Sequence, residues 1–221
     1  MSSLTRSHAI FVLDLGAGEN RFNPDSLEAL EGYLDEVEAA PAPRALVTTA
    51  TGKIWSNGLD LDWMAAHGDE AMAVVSRVHA LLARVLELSV PTVAALQGHT
   101  FAAGAMLALA HDQRVMRADR GFFCLPEIDI NIPFTPGMTA LIAARLPAGA
   151  AHESMTTGRR YGGSDAAVAG IVDDAVAEAD VLPRAIERAA SLADKNPDTL
   201  RTIKRRLYND TLEALRAAQT L

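Results

Sequence analysis

The sequence has little cysteine and no long apolar run. A single cysteine, Cys124, among 221 residues excludes an intrachain disulfide and fits a reducing compartment. It stands in the apolar run GFFCLP, which favours an inert buried thiol. The longest mainly apolar stretch, VPTVAALQGHTFAAGAMLALA, is interrupted at residues 97–100, and the N-terminal MSSLTRSHAIFVLDL lacks the features of a signal peptide. We therefore expect a cytoplasmic protein without a membrane span.

The sequence also lacks a basic excess, because 28 acidic residues outnumber 20 Lys and Arg and leave a formal net charge of −8. A general nucleic-acid surface would need the opposite balance, so we expect no nucleic-acid partner. No GxGxxG or GxxxxGK(S/T) loop is present to cradle a phosphate. The histidines show no metal-ligand spacing, so we expect no bound metal and no separate cofactor. Those considered are His67, His79, His99, His111 and His152.

What the chain does have is the composition of an ordinary soluble protein, with 49% apolar and 22% charged residues. Strand and helix patterns alternate through its first two thirds, which predicts an α/β fold with parallel βαβ units. Helical patterns dominate after that. We predict one domain over residues 1–221, with a core at about 1–148 and a helical region at about 149–221.

Apolar periodicity and capping residues predict the individual elements. Strands are expected at HAIFVLDL, RALVTTA, SVPTVAALQG and QRVMRAD, and GFFCLPEIDI is expected to be extended. The first helix should begin at Pro24, with Asn23 or Asp25 near its cap. Helices are predicted at NPDSLEALEGYLDEVEAA, EAMAVVSRVHALLARVLEL, GAMLALAHD, PFTPGMTALIAARL, GAAHESMTTG, SDAAVAG, VLPRAIERAASLADKN and PDTLRTIKRRLYNDTLEALRAAQ.

Residues 98–112, GHTFAAGAMLALAHD, combine a turn-like start with a run of small and apolar residues. Small side chains let backbone N–H groups come close to whatever lies outside them. A helix that begins there directs its positive end to the same place. The stretch alone fits an anion site and a tightly packed buried helix equally well.

Four segments together resemble the crotonase (enoyl-CoA hydratase/isomerase) superfamily in order and spacing. They are ENRFNPDSLEAL, KIWSNGLDLDW, VPTVAALQGHTFAAGAMLALAHD and FFCLPEIDI, and RRYGGSDAAVAGIVDDAV resembles a later family segment. The resemblance runs from about His8 to about Lys204. It implies a crotonase-like spiral of ββα/βαβ turns with C-terminal trimerisation helices. It also implies an acyl-CoA thioester substrate, with coenzyme A only as part of that substrate, and a homotrimer or dimer of trimers.

The resemblance places an oxyanion hole at the backbone N–H groups of Leu59 and Ala103. Two fixed donors suit this chemistry because an enolate places negative charge on the thioester oxygen. Lys204, Arg205 and Arg206 form a basic cluster that fits either CoA phosphates or a solvated helix face. By the same resemblance, contacts to substrate or CoA are expected from Lys53, Ser56, Asn57, Gly58, Asp60 and Met106.

The family's hydratases use two glutamates, and only one of them is present here. Glu127 occupies the second position, whereas Met106 occupies the first. A thioether cannot transfer a proton at neutral pH. One base suffices, however, to take a proton from C2 of a 3-enoyl-CoA and return it to C4, and Met106 as an apolar neighbour would raise the pKa of Glu127. If the segment is a strand, Asp129 lies on the same face, in a structural or supporting role.

The pattern is closest to the Δ3,Δ2-enoyl-CoA isomerases, so isomerisation of 3-enoyl-CoA to 2-enoyl-CoA in fatty-acid metabolism is the leading prediction. A hydratase or other crotonase reaction and an inert acyl-CoA-binding protein are the alternatives. Met106 disfavours the hydratase, and Glu127 disfavours the inert binder. Residues that contact the acyl chain are expected within 63–88 and 132–145. His99 is expected to have a packing or loop role rather than to polarise substrate.

Overall fold

The computed structural model describes residues 1–218, which form eleven strands and ten helices. The strands are β1 Ser3–Ser7, β2 Ile10–Asp14, β3 Arg21–Phe22, β4 Ala45–Thr49, β5 Ile54–Ser56, β6 Gly58–Leu59, β7 Thr92–Leu96, β8 His99–Phe101, β9 Gln113–Arg117, β10 Phe123–Cys124 and β11 Asp174–Val176. The helices are α1 Pro24–Ala39, α2 Leu61–Ala66, α3 Ala71–Leu86, α4 Ala103–Ala110, α5 Pro136–Arg145, α6 Ala148–Thr157, α7 Gly163–Val168, α8 Glu178–Ala190, α9 Pro197–Leu207 and α10 Asn209–Arg216.

The largest sheet has the strand order β1-β2-β4-β7-β9-β11. Only β1 is antiparallel to its neighbour, and every other pair is parallel. A smaller parallel sheet has the order β10-β8-β5, and β3 pairs with β6. Successive turns of the chain thus place one strand in the large sheet and the next in the small one. The predicted α/β class with parallel βαβ units is confirmed, and the chain winds as the predicted spiral requires.

Helix α4 lies in the middle of the main core, and all eight of its residues are buried. A helix that is apolar on every side is stable only where protein surrounds it. Strands β4 and β7 are likewise buried at every residue, as expected for apolar runs inside a parallel sheet. The turn that precedes α4 is therefore held from several sides.

The predicted elements differ from the structure mainly at their ends. Helix α1 begins at Pro24 with Asn23 as its cap, as predicted. Polar SLTRS forms edge strand β1, which apolar periodicity does not mark. The predicted long C-terminal helix is two helices that meet at Tyr208, where φ is −112° and ψ is 23°. Helix α10 buries Leu212 and Leu215, whereas α9 buries only Lys204. Residues 219–221 lie outside the described residues. They include the last residue of that predicted helix and the end of the predicted 149–221 region.

Among residues 1–218, no helix is both long and apolar enough to cross a membrane. The same residues contain no group of three or more His, Cys, Asp or Glu side chains that could hold a metal ion.

Candidate active site

A cavity of about 200 Å³ opens beside the start of α4, and we call it the Glu127 cavity. Its walls come from the segment that leads into α2, the turn before α4, residues 126–133 and the start of α5. Among the described residues that line it, Asn57 and Glu127 are polar and all the others are apolar. An apolar cavity with few polar groups is the usual form of a small-ligand site.

Glu127 is the ionisable residue of this cavity. Its side chain is only 6% exposed, and its Oε2 atom is buried without a hydrogen-bond partner. Burial raises the pKa of Glu127 to about 7, because the charged form loses its hydration. The residue is held by a turn in which Ile132 N–H donates to Glu127 O at 3.0 Å. A carboxyl group with this pKa can take up and release a proton near neutral pH.

The N–H group of Leu59 is directed away from its neighbouring strand. Leu59 pairs with Phe22 in the parallel ladder, and the adjacent Asp60 N–H donates to Phe22 O at 3.0 Å. In a parallel pair, alternate residues bond to the partner strand. The N–H of Leu59 is therefore directed away from β3, and Leu59 is one of the residues that line the cavity.

The second backbone donor is Ala103, which also lines the cavity. As the first residue of α4, it has an N–H without an acceptor inside the helix. Its neighbour across the gap is Gly58, whose φ is +78°, and a Cβ at Gly58 would lie 2.7 Å from Ala103 N. The segments that carry Leu59 and Ala103 thus meet backbone to backbone, which only a glycine at position 58 allows.

The turn between them contains a strained residue. Ala102 has a φ of +49° and a ψ of −129°, a conformation that L-residues rarely adopt. Ala102 is the one residue between β8 and α4, so the change from strand to helix takes place at this single position. The N–H of Ala102 donates to Cys124 O at 3.1 Å, which holds the reversed backbone in place.

Several residues expected to contact substrate instead support this backbone. Ser56 is completely buried, and its hydroxyl donates to Asn20 O at 2.8 Å and accepts from Gly58 N–H at 3.1 Å. The Asp60 carboxylate caps α2 by accepting from Trp63 N–H, and it also accepts from Asn23 Nδ2. Both side chains shape the loop that presents Leu59.

Met106 and Lys53 do not line the Glu127 cavity. Met106 is 0% exposed and packs in the main core, whereas Lys53 is exposed and contributes its carbonyl to His99 N–H. The predicted desolvation of Glu127 is present, but its apolar neighbours on the cavity wall include Pro126, Ile132 and Met138.

The predicted relation between Asp129 and Glu127 is wrong. Only residues 123 and 124 of this segment are in a strand, and residues 127–131 form a turn in which Asp129 N–H donates to Pro126 O. The alternation of faces along a strand does not apply there, and Asp129 is exposed. The turn also leaves Ile128 53% exposed.

The basic cluster on α9 is divided by the fold. Lys204 is buried, and its Nζ donates to Asp112 Oδ2 at 2.7 Å and to Val90 O at 3.3 Å, so it cannot reach a substrate phosphate. Arg205 pairs with Glu87 at 2.9 Å, and Arg206 is exposed. Of the two interpretations of this cluster, the solvated helix face agrees with the exposed Arg205 and Arg206, whereas Lys204 belongs to a buried ion pair.

Two further predictions concern residues in the strands of the small sheet. Cys124 is buried, and burial raises the pKa of its thiol to about 11, so it is inert as expected. His99 begins strand β8, and its ring packs against Phe101 and Phe122 with centroids 5.1 and 5.6 Å apart, which agrees with a packing role.

The wall residues Met64, Val75, Ile132, Pro133 and Met138 lie within the two ranges expected to contact an acyl chain. Leu61, Phe101, Pro126 and Ile130 also line the cavity but lie outside those ranges. Apolar side chains carry no chemical signature, so only their position in space identifies these wall residues.

Comparisons with known proteins agree with this architecture. A model of the enoyl-CoA hydratase/isomerase family matches residues 6–221. Enoyl-CoA delta isomerase 3 of Arabidopsis thaliana is 35% identical over 94% of this chain and 92% of its own. The probable enoyl-CoA hydratase EchA3 of Mycobacterium tuberculosis superposes with a TM-score of 0.91 at 28% identity, over 98% of this chain and 92% of its own. Human mitochondrial delta3-delta2-enoyl-CoA isomerase shares the fold with a TM-score of 0.89 at 22% identity, over 97% and 85% of the two chains.

Proposed function

Because the chain belongs to the enoyl-CoA hydratase/isomerase family, we propose that it moves the double bond of a 3-enoyl-CoA thioester to position 2, with Glu127 as the single base. The observation that carries this proposal is one desolvated carboxyl group in a cavity that Leu59 and Ala103 also line. Coenzyme A takes part only as the carrier portion of the substrate.

In the proposed reaction the thioester oxygen accepts hydrogen bonds from the N–H groups of Leu59 and Ala103. The Glu127 carboxylate removes a proton from C2, and the electron pair of the broken C–H bond is delocalised to the thioester oxygen as an enolate. The protonated Glu127 then donates the same proton to C4, where the electron pair of the C3–C4 double bond forms the new C–H bond. The enolate electrons return from the oxygen, which restores the thioester carbonyl and leaves the double bond between C2 and C3. Fixed donors stabilise the enolate because they need no rearrangement when charge develops.

Hydration of 2-enoyl-CoA is the second candidate. It needs one group to activate water and another to deliver a proton, and among the described residues of the cavity wall Glu127 alone is ionisable. The buried position of Met106 supports the one-base reaction further. Binding without catalysis is disfavoured because a carboxylate in an apolar wall costs stability without aiding the binding of an acyl chain.

The test is to incubate the protein separately with 3-hexenoyl-CoA and with 2-hexenoyl-CoA, and to quantify isomer and 3-hydroxyacyl product by chromatography. We expect isomer from the first substrate, with kcat/KM rising with pH through about 7 as Glu127 ionises. Glu127→Gln should lose about 10²–10⁴-fold or more, and the exposed Asp129→Asn is the matched control. Rapid hydration of 2-hexenoyl-CoA, or full turnover by folded Glu127→Gln, would contradict the proposal.

The backbone donors need a separate experiment. Leu59→Pro deletes the N–H, whereas Leu59→Ala keeps it and changes only the side chain. We expect the proline variant to lose about 10²-fold or more in kcat and the alanine variant to lose far less. Circular dichroism checks that both are folded. Equal activity of the two folded variants would show that Leu59 N–H does not bind the thioester oxygen.

A further inference from the structure

Helix α4 has no polar side chain with which to fix its own position. Its eight residues are alanine, glycine, leucine and methionine, and all of them are buried. Apolar contacts are not directional, whereas hydrogen bonds fix both a distance and an angle. The position of α4 along its axis is therefore set most sharply at its two polar ends, and Ala103 is at the N-terminal one.

The C-terminal end of α4 is held by the guanidinium group of Arg145, which comes from α5. Its Nε donates to Leu109 O at 2.8 Å, and its Nη2 donates to His111 O at 2.7 Å and to Asp112 O at 3.0 Å. These carbonyls are in the last turn of α4 and the two residues after it, where a helix leaves C=O groups without internal partners. The remaining nitrogen, Nη1, donates to the Tyr208 hydroxyl, which holds the guanidinium group itself in place.

Two further side chains hold the same helix end. Arg114 is 5% exposed, and its Nη1 donates to His111 O at 3.1 Å. Burial lowers the pKa of His111 to about 4, so its ring is neutral at pH 7. Because Leu107 O can only accept, Nδ1 of His111 donates to it at 2.8 Å, and Nε2 accepts from the Thr48 hydroxyl at 2.8 Å. We call Arg145, Arg114 and His111 the α4 clamp, which joins this helix end to α5, β9 and β4.

The α4 clamp and the proposed oxyanion donor are at opposite ends of one short helix. Eight residues at a rise of 1.5 Å each make α4 about 12 Å long. The internal hydrogen bonds of a helix keep its length constant, so a displacement of the clamped end also displaces Ala103. A misplacement of about 1 Å in an active site can cost 10²-fold in rate.

We infer that Arg145 is a positioning residue for the isomerisation, because its hold on the C-terminal carbonyls of α4 places the Ala103 N–H within hydrogen-bond distance of the thioester oxygen. The inference rests on the proposed function, since it concerns the proposed oxyanion hole. Arg145 acts through α4 and does not line the Glu127 cavity. Its loss therefore weakens the polarisation of the thioester rather than the binding of the acyl chain.

The test measures how strongly the carbonyl of a bound thioester is polarised. Hexanoyl-CoA is saturated and cannot isomerise, and infrared difference spectroscopy with an isotope-labelled carbonyl gives the stretching frequency of that group in the complex. In the unmodified protein, hydrogen bonds from the oxyanion hole should lower this frequency relative to free hexanoyl-CoA.

Two variants change the clamp to different extents. Arg145→Lys keeps the charge but replaces the planar fork with a point donor, and Arg145→Met removes both. Both variants should lower the carbonyl frequency less than the unmodified protein does. Their kcat with 3-hexenoyl-CoA should fall by about tenfold or more, because the transition state depends on the same hydrogen bond.

The matched control is Arg84→Met. Arg84 is also a half-buried arginine that holds a carbonyl, since its Nη1 donates to Glu31 O at 3.1 Å, but it joins α3 to α1. We expect this variant to lose stability without any change in the carbonyl frequency. Circular dichroism checks that all three variants are folded.

The possible outcomes separate this inference from the proposed function. An unchanged frequency in the folded Arg145 variants would overturn the inference. A loss of hexanoyl-CoA affinity at that unchanged frequency would show that Arg145 acts instead on the cavity wall through α5, which carries Met138. If the unmodified protein does not lower the frequency at all, the proposed oxyanion hole is wrong, and this inference is wrong with it.

Discussion

At the scale of single residues, the burial of Glu127 suits its proposed function as a base but lowers the stability of the folded protein when the carboxyl is charged. Its pKa is raised to about 7 in the folded protein, from an ordinary value of 4.5, because the cavity desolvates it. The folded state therefore binds this proton more tightly than the unfolded state does. The stabilising contribution is complete below pH 4.5 and is lost as the pH rises through about 7.

We expect Glu127→Gln to be more stable than the parent at pH 8, by up to about 3 kcal/mol at 1.36 kcal/mol per pKa unit. At pH 4 the two proteins should be equally stable, since both side chains are then neutral. Urea unfolding at the two pH values measures the difference. A Glu127→Gln protein that is less stable than the parent at pH 8 would contradict the desolvation of this carboxyl.

Ala102 is a second residue of the candidate site that costs stability, here through a strained backbone. A non-glycine residue with this backbone costs of order 1–3 kcal/mol, and glycine removes the strain at some cost in chain entropy. We expect Ala102→Gly to raise the free energy of unfolding by about 1 kcal/mol. The control Ala105→Gly, inside helix α4, should lower it by about 1 kcal/mol or more. Equal destabilisation of both variants would show that Ala102 is unstrained.

At the scale of elements, α9 is joined to the core by charge rather than by apolar packing. Lys204 is its one buried residue among those described, and its Nζ bonds Asp112. Asp112 in turn accepts from Thr92 N–H at 2.8 Å and donates its own N–H to Thr92 Oγ1. One ion pair thus links α9 to the end of α4 and the start of β7.

We expect Lys204→Ala to lower the free energy of unfolding by about 2 kcal/mol. Breaking a buried pair costs about 3–5 kcal/mol, and the partial exposure of Asp112 reduces this because solvent screens the remaining charge. Arg206→Ala, which changes an exposed charge on the same helix, should cost less than about 0.5 kcal/mol. Thermal unfolding of the two variants measures the difference. Similar losses of stability in both would show that the buried ion pair of Lys204 contributes no more than the exposed charge of Arg206.

At the scale of the whole molecule, the trimer stays a prediction from the family resemblance. Helix α9 exposes Ile203 and Leu207, which are four residues apart and share one face. Such a face fits contact with another subunit.

We expect sedimentation at micromolar concentration to give a mass about three times 23.5 kDa, or six times for a dimer of trimers. Ile203→Asp should shift the mass toward the monomer, whereas the exposed Thr202→Asp adds the same charge without removing an apolar group. A stable 23.5 kDa species from the unmodified protein would reject the trimer.

Local sequence pattern alone was sufficient to predict much of the fold of this protein. The apolar runs of β4 and β7, the period of α3 and the Asn23–Pro24 helix start each depend on neighbouring residues, so the α/β class could be predicted from them. Four ordered segments were also enough to recognise the family and to select Glu127, Leu59 and Ala103.

Tertiary structure alone decided how these residues are used. The turn at 127–131 removed Asp129 from the face of Glu127, and the pairing of β6 with β3 turned the Leu59 N–H away from β3. Burial of Lys204 and Met106 likewise depends on distant segments that surround them. Desolvation, backbone direction and ion pairing arise between residues far apart in the chain, and for that reason no local pattern in the sequence contains them.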